Sequence, residues 1–150
     1  MILRNYVFRD GGNIPPRYTC DGANVNPPLI IEDVSRDTKS LVLIVDDPDA
    51  TMARTFTHWF VWNIPLDTIE FQEGEVPRGV VQGRNDFGNE GYGGPCPPRG
   101  SKPHRYMFKL YALDKILDLR RGVERNKLEA AMEGHILEYT TLTAMYSRTK

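Results

Sequence analysis

Cysteine, histidine and excess charge are all scarce in this 150-residue chain, which has two Cys, three His and 19 Lys+Arg against 20 Asp+Glu. The two cysteines, Cys20 and Cys96, cannot build a disulfide framework and show no CxxC spacing. Reduced, packed thiols are therefore the expectation, with a single Cys20–Cys96 bridge as the alternative. A net charge of −1 excludes a general nucleic-acid binder, which needs surplus Lys and Arg to displace counterions from phosphates. No apolar run approaches the ~20 residues that cross a bilayer. Met1-Ile2-Leu3-Arg4-Asn5-Tyr6 has none of the basic segment, apolar stretch or cleavage site of an export signal, which points to the cytoplasm. The G-x-S-x-G element of serine hydrolases is missing as well. Gly94 to Lys102 fails as a phosphate loop, because Ser101 precedes Lys102 and Pro95, Pro97 and Pro98 lack the N–H groups such a loop aims at phosphate.

What is present is punctuation. Thirteen glycines and eleven prolines separate short runs rich in Val, Ile, Phe, Tyr and Trp, the pattern of an all-β domain. The strands expected are Ile2–Phe8, Leu29–Glu32, Ser40–Asp46, Thr57–Ile64, Gly79–Gln82 and Tyr106–Leu113, with a closing strand over Thr140–Ser147. Leu41-Val42-Leu43-Ile44-Val45 is apolar on both faces and reads as a central strand covered on each side. One amphipathic helix is expected over 127–136, opened by Asn126 with Glu129 in a capping box and with His135 at its end serving the helix dipole. The fold class is mainly all-β: a two-sheet antiparallel β-sandwich with one or two short peripheral helices. No repeat or linker divides residues 1–150, so a single domain is expected.

Polar chemistry concentrates in three places. Asp46, Asp47 and Asp49 crowd the end of the central strand, and like charges so close need partners. Asp-Pro turn chemistry is the plain reading. A calcium loop is the alternative, although the D-x-[DN]-x-[DN]-G order is absent. His58 opens an aromatic strand, Trp59 and Trp62 reading as core or pocket wall. A rigid Gly/Pro loop, Tyr92 to Pro103, delivers His104, Arg105 and Tyr106 onto a strand whose alternation puts His104 and Tyr106 on one face. Imidazole beside phenol offers two donors to an anion. Cys96 in this loop reads as a small buried thiol rather than a nucleophile.

Asp47-Pro48-Asp49-Ala50, His58 before its aromatic strand, and Gly94-Pro95-Cys96-Pro97-Pro98-Arg99-Gly100 leading into His104-Arg105-Tyr106 resemble the signature of the phosphatidylethanolamine-binding (Raf kinase inhibitor) proteins. Met132-Glu133-Gly134-His135-Ile136-Leu137 and Tyr146-Ser147-Arg148 are similar to the bacterial and archaeal branch. The resemblance implies a two-sheet fold with a small anion pocket lined by Asp47, His58, Pro98, His104 and Tyr106, binding a phosphate- or carboxylate-bearing ligand. It implies no metal and no cofactor. It also implies a homodimer and a protein kinase or serine protease as protein partner. Thr51 departs from the proline the family commonly carries after Asp-Pro-Asp-Ala, and no counterpart of the animal members' closing helix follows Arg148. Three functions are weighed: a non-enzymatic binding module first, a kinase or protease inhibitor second, and third a hydrolase using Asp47, His58 and His104 as an acid–base site with no nucleophile assigned.

Overall fold

The computed structural model describes residues 1–51 and 54–149. Eight strands are formed among them: β1 (Ile2–Arg4), β2 (Leu29–Glu32), β3 (Ser40–Asp47), β4 (Phe56–Ile64), β5 (Glu70–Phe71), β6 (Val81–Gln82), β7 (His104–Leu113) and β8 (Ile136–Tyr146). They make two antiparallel sheets, β1-β2-β5 and β6-β4-β3-β7-β8. A 3-10 turn (Pro16–Tyr18) and one helix, α1 (Arg125–Met132), lie at the periphery. The expected sandwich is what forms. No helix among the described residues is long and apolar enough to cross a membrane.

The central strand behaves as its composition demands, with all eight residues of β3 buried. Leu41, Leu43 and Val45 pack with Leu29, Ile31, Trp59, Phe71 and Phe108 between the two sheets. Val42 and Ile44 point the other way, into a second core that Leu128 and Met132 of α1 cover together with Phe60 and Trp62. The alternation of β3 thus builds two apolar layers, and each fully buried Leu or Ile adds roughly 1.5–3 kcal/mol of transfer free energy. Both tryptophans are core, with no exposed surface.

Several element ends differ from expectation, each for a local reason. β1 stops at Arg4 instead of Phe8 because the Asn5 side-chain oxygen accepts the N–H groups of Val7 and Phe8 at 2.7 and 2.8 Å, turning the chain. The helix begins at Arg125, two residues earlier than read, with Glu124 at its N-cap and no side-chain cap; Asn126 lies inside it. It ends at Met132 because Gly134 has φ +81°, a left-handed residue that stops the helix. His135 is therefore outside the helix, its ring nitrogen bonded to Asp114 at 2.7 Å instead of serving a dipole. β8 starts at Ile136, before the expected Thr140.

The two cysteines are joined, so the expectation of reduced, packed thiols is corrected. Their Cα atoms stand 5.4 Å apart, within bridging range, because the Cys20 N–H donates to the Pro95 carbonyl at 3.1 Å and lays the two loops side by side. Cys96 is solvent-exposed, not buried. The same loop pair is fastened by Tyr92 Oη donating to the Tyr18 carbonyl at 2.7 Å and Gly94 N–H donating to Asn24 Oδ1 at 2.8 Å. At Gly94 the loops are so close that a β-carbon would stand 2.3 Å from the Tyr18 carbonyl oxygen and 2.5 Å from Asn24 Oδ1. Gly94→Ala must push backbone apart, and the expected loss is about 1–3 kcal/mol of unfolding free energy in urea titration. Wild-type stability in that variant would mean the loops are not held this tightly.

Candidate functional site

Three stretches of chain meet at one end of the five-stranded sheet around a cavity of about 200 Å³ lined by Asp47, His58, Pro98, His104 and Tyr106, together with Ala50, Thr51, Phe56, Phe87, Cys96 and Pro97. All five residues expected from the sequence are on its wall. Asp47, His58, His104 and Tyr106 each retain 6% exposure or less, so their polar atoms face the cavity rather than bulk solvent.

Asp47 is the last residue of β3, and its two carboxylate oxygens do different work. Oδ1 accepts the Asp49 N–H at 2.7 Å, which is the Asp-Pro turn read from the sequence. Oδ2 accepts from His104 Nδ1 at 2.7 Å. The crowded neighbours find separate partners as well. Asp46 faces the opposite side of the sheet, where Lys109 and Arg125 both donate to its Oδ2. Asp49 sits at the rim under a bidentate Arg105, and that hydrogen-bonded guanidinium holds its carboxyl at about 2, well below the usual carboxylate range. Three carboxylates in four positions are thus distributed over three directions.

His58 reaches the cavity through a bulge. β3 and β4 pair Val45 with Trp59 and Asp46 with Thr57, so His58 is the extra residue on its strand. Strict alternation would send His58 and Trp59 to opposite faces. The bulge re-aims His58 instead, and its ring lies 5.2 Å from that of Tyr106, edge to face, while Trp59 stays in the inter-sheet core. Its Nδ1 donates to the Gly93 carbonyl at 2.7 Å, which leaves Nε2 for the cavity. Burial pushes the imidazole below its ordinary pKa, outweighing the Gly93 carbonyl and Asp47, both of which favour the charged form.

β7 supplies the opposite wall. Its alternation puts His104 and Tyr106 on one face, as expected, with rings stacked at 6.3 Å. His104 gives Nδ1–H to Asp47 and keeps Nε2 for the cavity, the same arrangement as at His58. Tyr106 stands between the imidazoles, and burial raises its pKa, so the phenol keeps its proton and remains a donor. Pro97 and Pro98 close the wall without offering N–H groups.

Two wall residues were not singled out in the sequence. Phe56 and Phe87 pack against each other at 4.8 Å and against His58 at 4.8 and 5.4 Å, forming an apolar side to the cavity. Phe56 could have been found, because it precedes His58 by two positions at the strand mouth. Phe87 comes from a loop and carries no such signal. A wider groove of about 670 Å³ on the helix-covered side contains Arg54, Arg84 and Arg125 against Asp86, Glu124 and Glu129. Its charges balance, and Arg125 is already committed to Asp46, so it is a weaker candidate.

Comparison with known proteins gives the same answer for the chain as a whole. The family model for phosphatidylethanolamine-binding proteins matches residues 4–147. A UPF0098 protein of Pyrococcus horikoshii is 54% identical over 95% of this chain and 74% of its own length, and one from Methanothermobacter thermautotrophicus is 49% identical over 99% of both. Among solved structures, a phosphatidylethanolamine-binding protein homologue from Chlamydia trachomatis superimposes with a TM-score of 0.91 at 40% identity, covering 97% of this chain and 96% of that one. E. coli YbcL, described as a member of the mammalian family, gives the same score and coverage at 30% identity. The chain belongs to the phosphatidylethanolamine-binding protein family.

Proposed function

We propose that residues 1–150 act as one non-enzymatic binding domain whose cavity holds a small phosphate- or carboxylate-bearing ligand, with Asp47, His58, Pro98, His104 and Tyr106 as its wall. The observation that carries this reading is the convergence of two imidazoles with free Nε2 atoms and one phenol on a single opening of head-group size. With neutral rings the cavity presents one donor, the Tyr106 hydroxyl, and several acceptors. An anion therefore brings a proton with it or takes one up at an imidazole, whose Nε2–H then becomes a charge-assisted donor.

The sign of the pH dependence follows from His58. Its pKa lies below the ordinary value in the free protein, and a bound anion raises it, so binding takes up a proton between the two values. Affinity for sulfate, which keeps its charge between pH 8 and pH 5, should rise as pH falls across the interval between the bound-state and free-state values of His58, by up to ~10-fold per unit. Isothermal titration calorimetry measures it, and a flat sulfate profile defeats the reading. The same lowered pKa makes His58 a source of acid instability. The folded state gains stability from it above about 6.5 and loses it as pH falls toward the depressed value. Bound phosphate should offset that loss in thermal unfolding.

Removal of single groups separates their contributions. His104→Ala deletes the Nε2 that faces the cavity and leaves Asp47 short of a partner, so phosphate binding should weaken by about 1–3 kcal/mol. Tyr106→Phe removes only a neutral hydroxyl and should weaken it by about 0.5–1.5 kcal/mol. If calorimetry finds the two variants equal to wild type, these side chains do not contact the ligand.

A second reading has one observation in its favour. His104 donating Nδ1–H to Asp47 is the geometry by which a carboxylate orients a general base, so Asp47, His58 and His104 could serve a hydrolase. Steady turnover of a phosphate monoester that disappears in His58→Ala and in His104→Ala would establish it, whereas stoichiometric binding without turnover supports the module.

A further inference from the structure

Among the wall components that the anion reading does not use, one is a cysteine. Cys96 lines the opening beside Pro97 and Pro98, is exposed to solvent, and is joined to Cys20 from the loop before β2. Its sulfur has a charged neighbour, Arg148 Nη1, at 3.6 Å. The guanidinium is divided. Nε and Nη2 donate to Asp21 at 3.1 and 2.9 Å, and the remaining nitrogen reaches the sulfur. Asp21 is shared in turn, since the Tyr146 hydroxyl also donates to it and Arg99 adds positive charge nearby. Arg148 is fixed in place from its backbone too, its carbonyl accepting the Gly100 N–H at 2.8 Å. Cys96 is an exposed residue and Cys20 a half-buried one, and a fixed guanidinium against one sulfur of a disulfide favours that sulfur's departure as a thiolate.

We propose that Cys96 is a thiol-exchange site built into the cavity wall, with Arg148 holding its thiolate, so that the redox state of the Cys20–Cys96 pair sets the affinity of the cavity for anions. The co-reactant is a small dithiol. Its thiolate attacks Cys20 Sγ, the Sγ–Sγ bond breaks, and the bonding pair leaves on Cys96 Sγ. The reductant's second thiol then displaces Cys20 from the mixed disulfide. Two electrons pass from the dithiol to the pair, Cys20 ends as a thiol, Cys96 as a thiolate beside Arg148, the reductant as its own disulfide, and one proton is released.

Two consequences reach the cavity. A negative charge is placed on the wall of a site proposed to bind anions, and the covalent strap between the Cys20 loop and the Pro97–Pro98 wall is cut. The wall does not collapse, because Cys20 N–H to Pro95, Gly94 N–H to Asn24 and Tyr92 Oη to Tyr18 still hold the two loops. The change is thus confined to charge and slack at the mouth.

The inference rests on the anion reading for its second half, and the experiment keeps the two apart. Full-length oxidised protein is titrated with inorganic phosphate near pH 7 by calorimetry, then titrated again after reduction with dithiothreitol. The expected result is binding to the oxidised form, and binding weakened at least about threefold in the reduced form, an effect of the size of one added like charge near a surface site. In parallel, reduced protein is labelled with iodoacetamide and the two cysteines are followed separately by mass spectrometry. Cys96 should label faster than Cys20, with a midpoint below the ~8.5 of a free thiol. Arg148→Gln should move that midpoint up, and Arg148→Lys should restore part of it. Equal phosphate affinity in both redox states overturns the proposal, as does Cys96 labelling that is indifferent to Arg148. Loss of the far-ultraviolet circular dichroism signal on reduction overturns it too, because the bond would then be holding the fold. No phosphate binding by the oxidised protein defeats the anion reading and the coupling with it, while labelling still decides the thiol site.

Discussion

A single carboxylate joins the parts of this molecule that meet at the cavity. Asp47 ends the central strand, and its two oxygens are pulled in different directions, one by the N–H of its own turn and one by an imidazole delivered from β7. A buried carboxylate is costly to leave unpaired, so neither contact can be given up without exposing the other to that cost. The turn therefore fixes the carboxylate, the carboxylate fixes the His104 ring, and the ring's remaining nitrogen is aimed into the cavity. The strand end, the turn and half of the site are one hydrogen-bonded unit.

The two cores explain why that unit stands where it does. β3 is buried along its whole length, with one face against the small sheet and the other under α1. Polar residues can enter such a strand only at its end, where apolar packing stops. Asp46 and Asp47 occupy that end and fall on opposite faces, so one meets Lys109 and Arg125 while the other meets His104. On the helix side two cations share one Asp46 oxygen, and Glu129 supplies a second carboxylate at Arg125. The cavity-side pair keeps a free Nε2, and that asymmetry is what puts one of two adjacent aspartates on the cavity wall and the other in a cluster of ion pairs.

The sequence made much of this readable, and the exceptions have physical causes. The apolar run of β3, the alternation of His104 with Tyr106 and the Asp-Pro turn are local patterns, and each appears as read. Boundaries failed where a side chain competed with the backbone, as Asn5 does at the end of β1. His58 was singled out, but the reason it faces the cavity was not visible. The bulge at Val45 and Asp46 depends on how two strands pair, and no single strand records its partner's register. The disulfide, only the alternative in the sequence, was undecided there for a related reason. Cys20 and Cys96 are 76 positions apart, and only the packing of the two loops, made possible by a glycine at 94, brings their α-carbons within bridging distance.

The same pattern of proton placement bears on what the cavity can hold. Both imidazoles spend Nδ1–H on a protein acceptor, Gly93 in one case and Asp47 in the other, so both present the same atom to the opening. Two rings that each present a bare nitrogen would suit a ligand with protons to give, and two that each present an N–H would suit an anion. The switch between these states is one proton per ring, and burial sets His58 toward the bare form. A cation would lower that proton affinity further and an anion would raise it. On the proposed anion reading, the cavity would sense the charge of its occupant through the proton on His58. Arg105 and Arg148, on the same stretches of chain, are each paired with a carboxylate, Asp49 and Asp21.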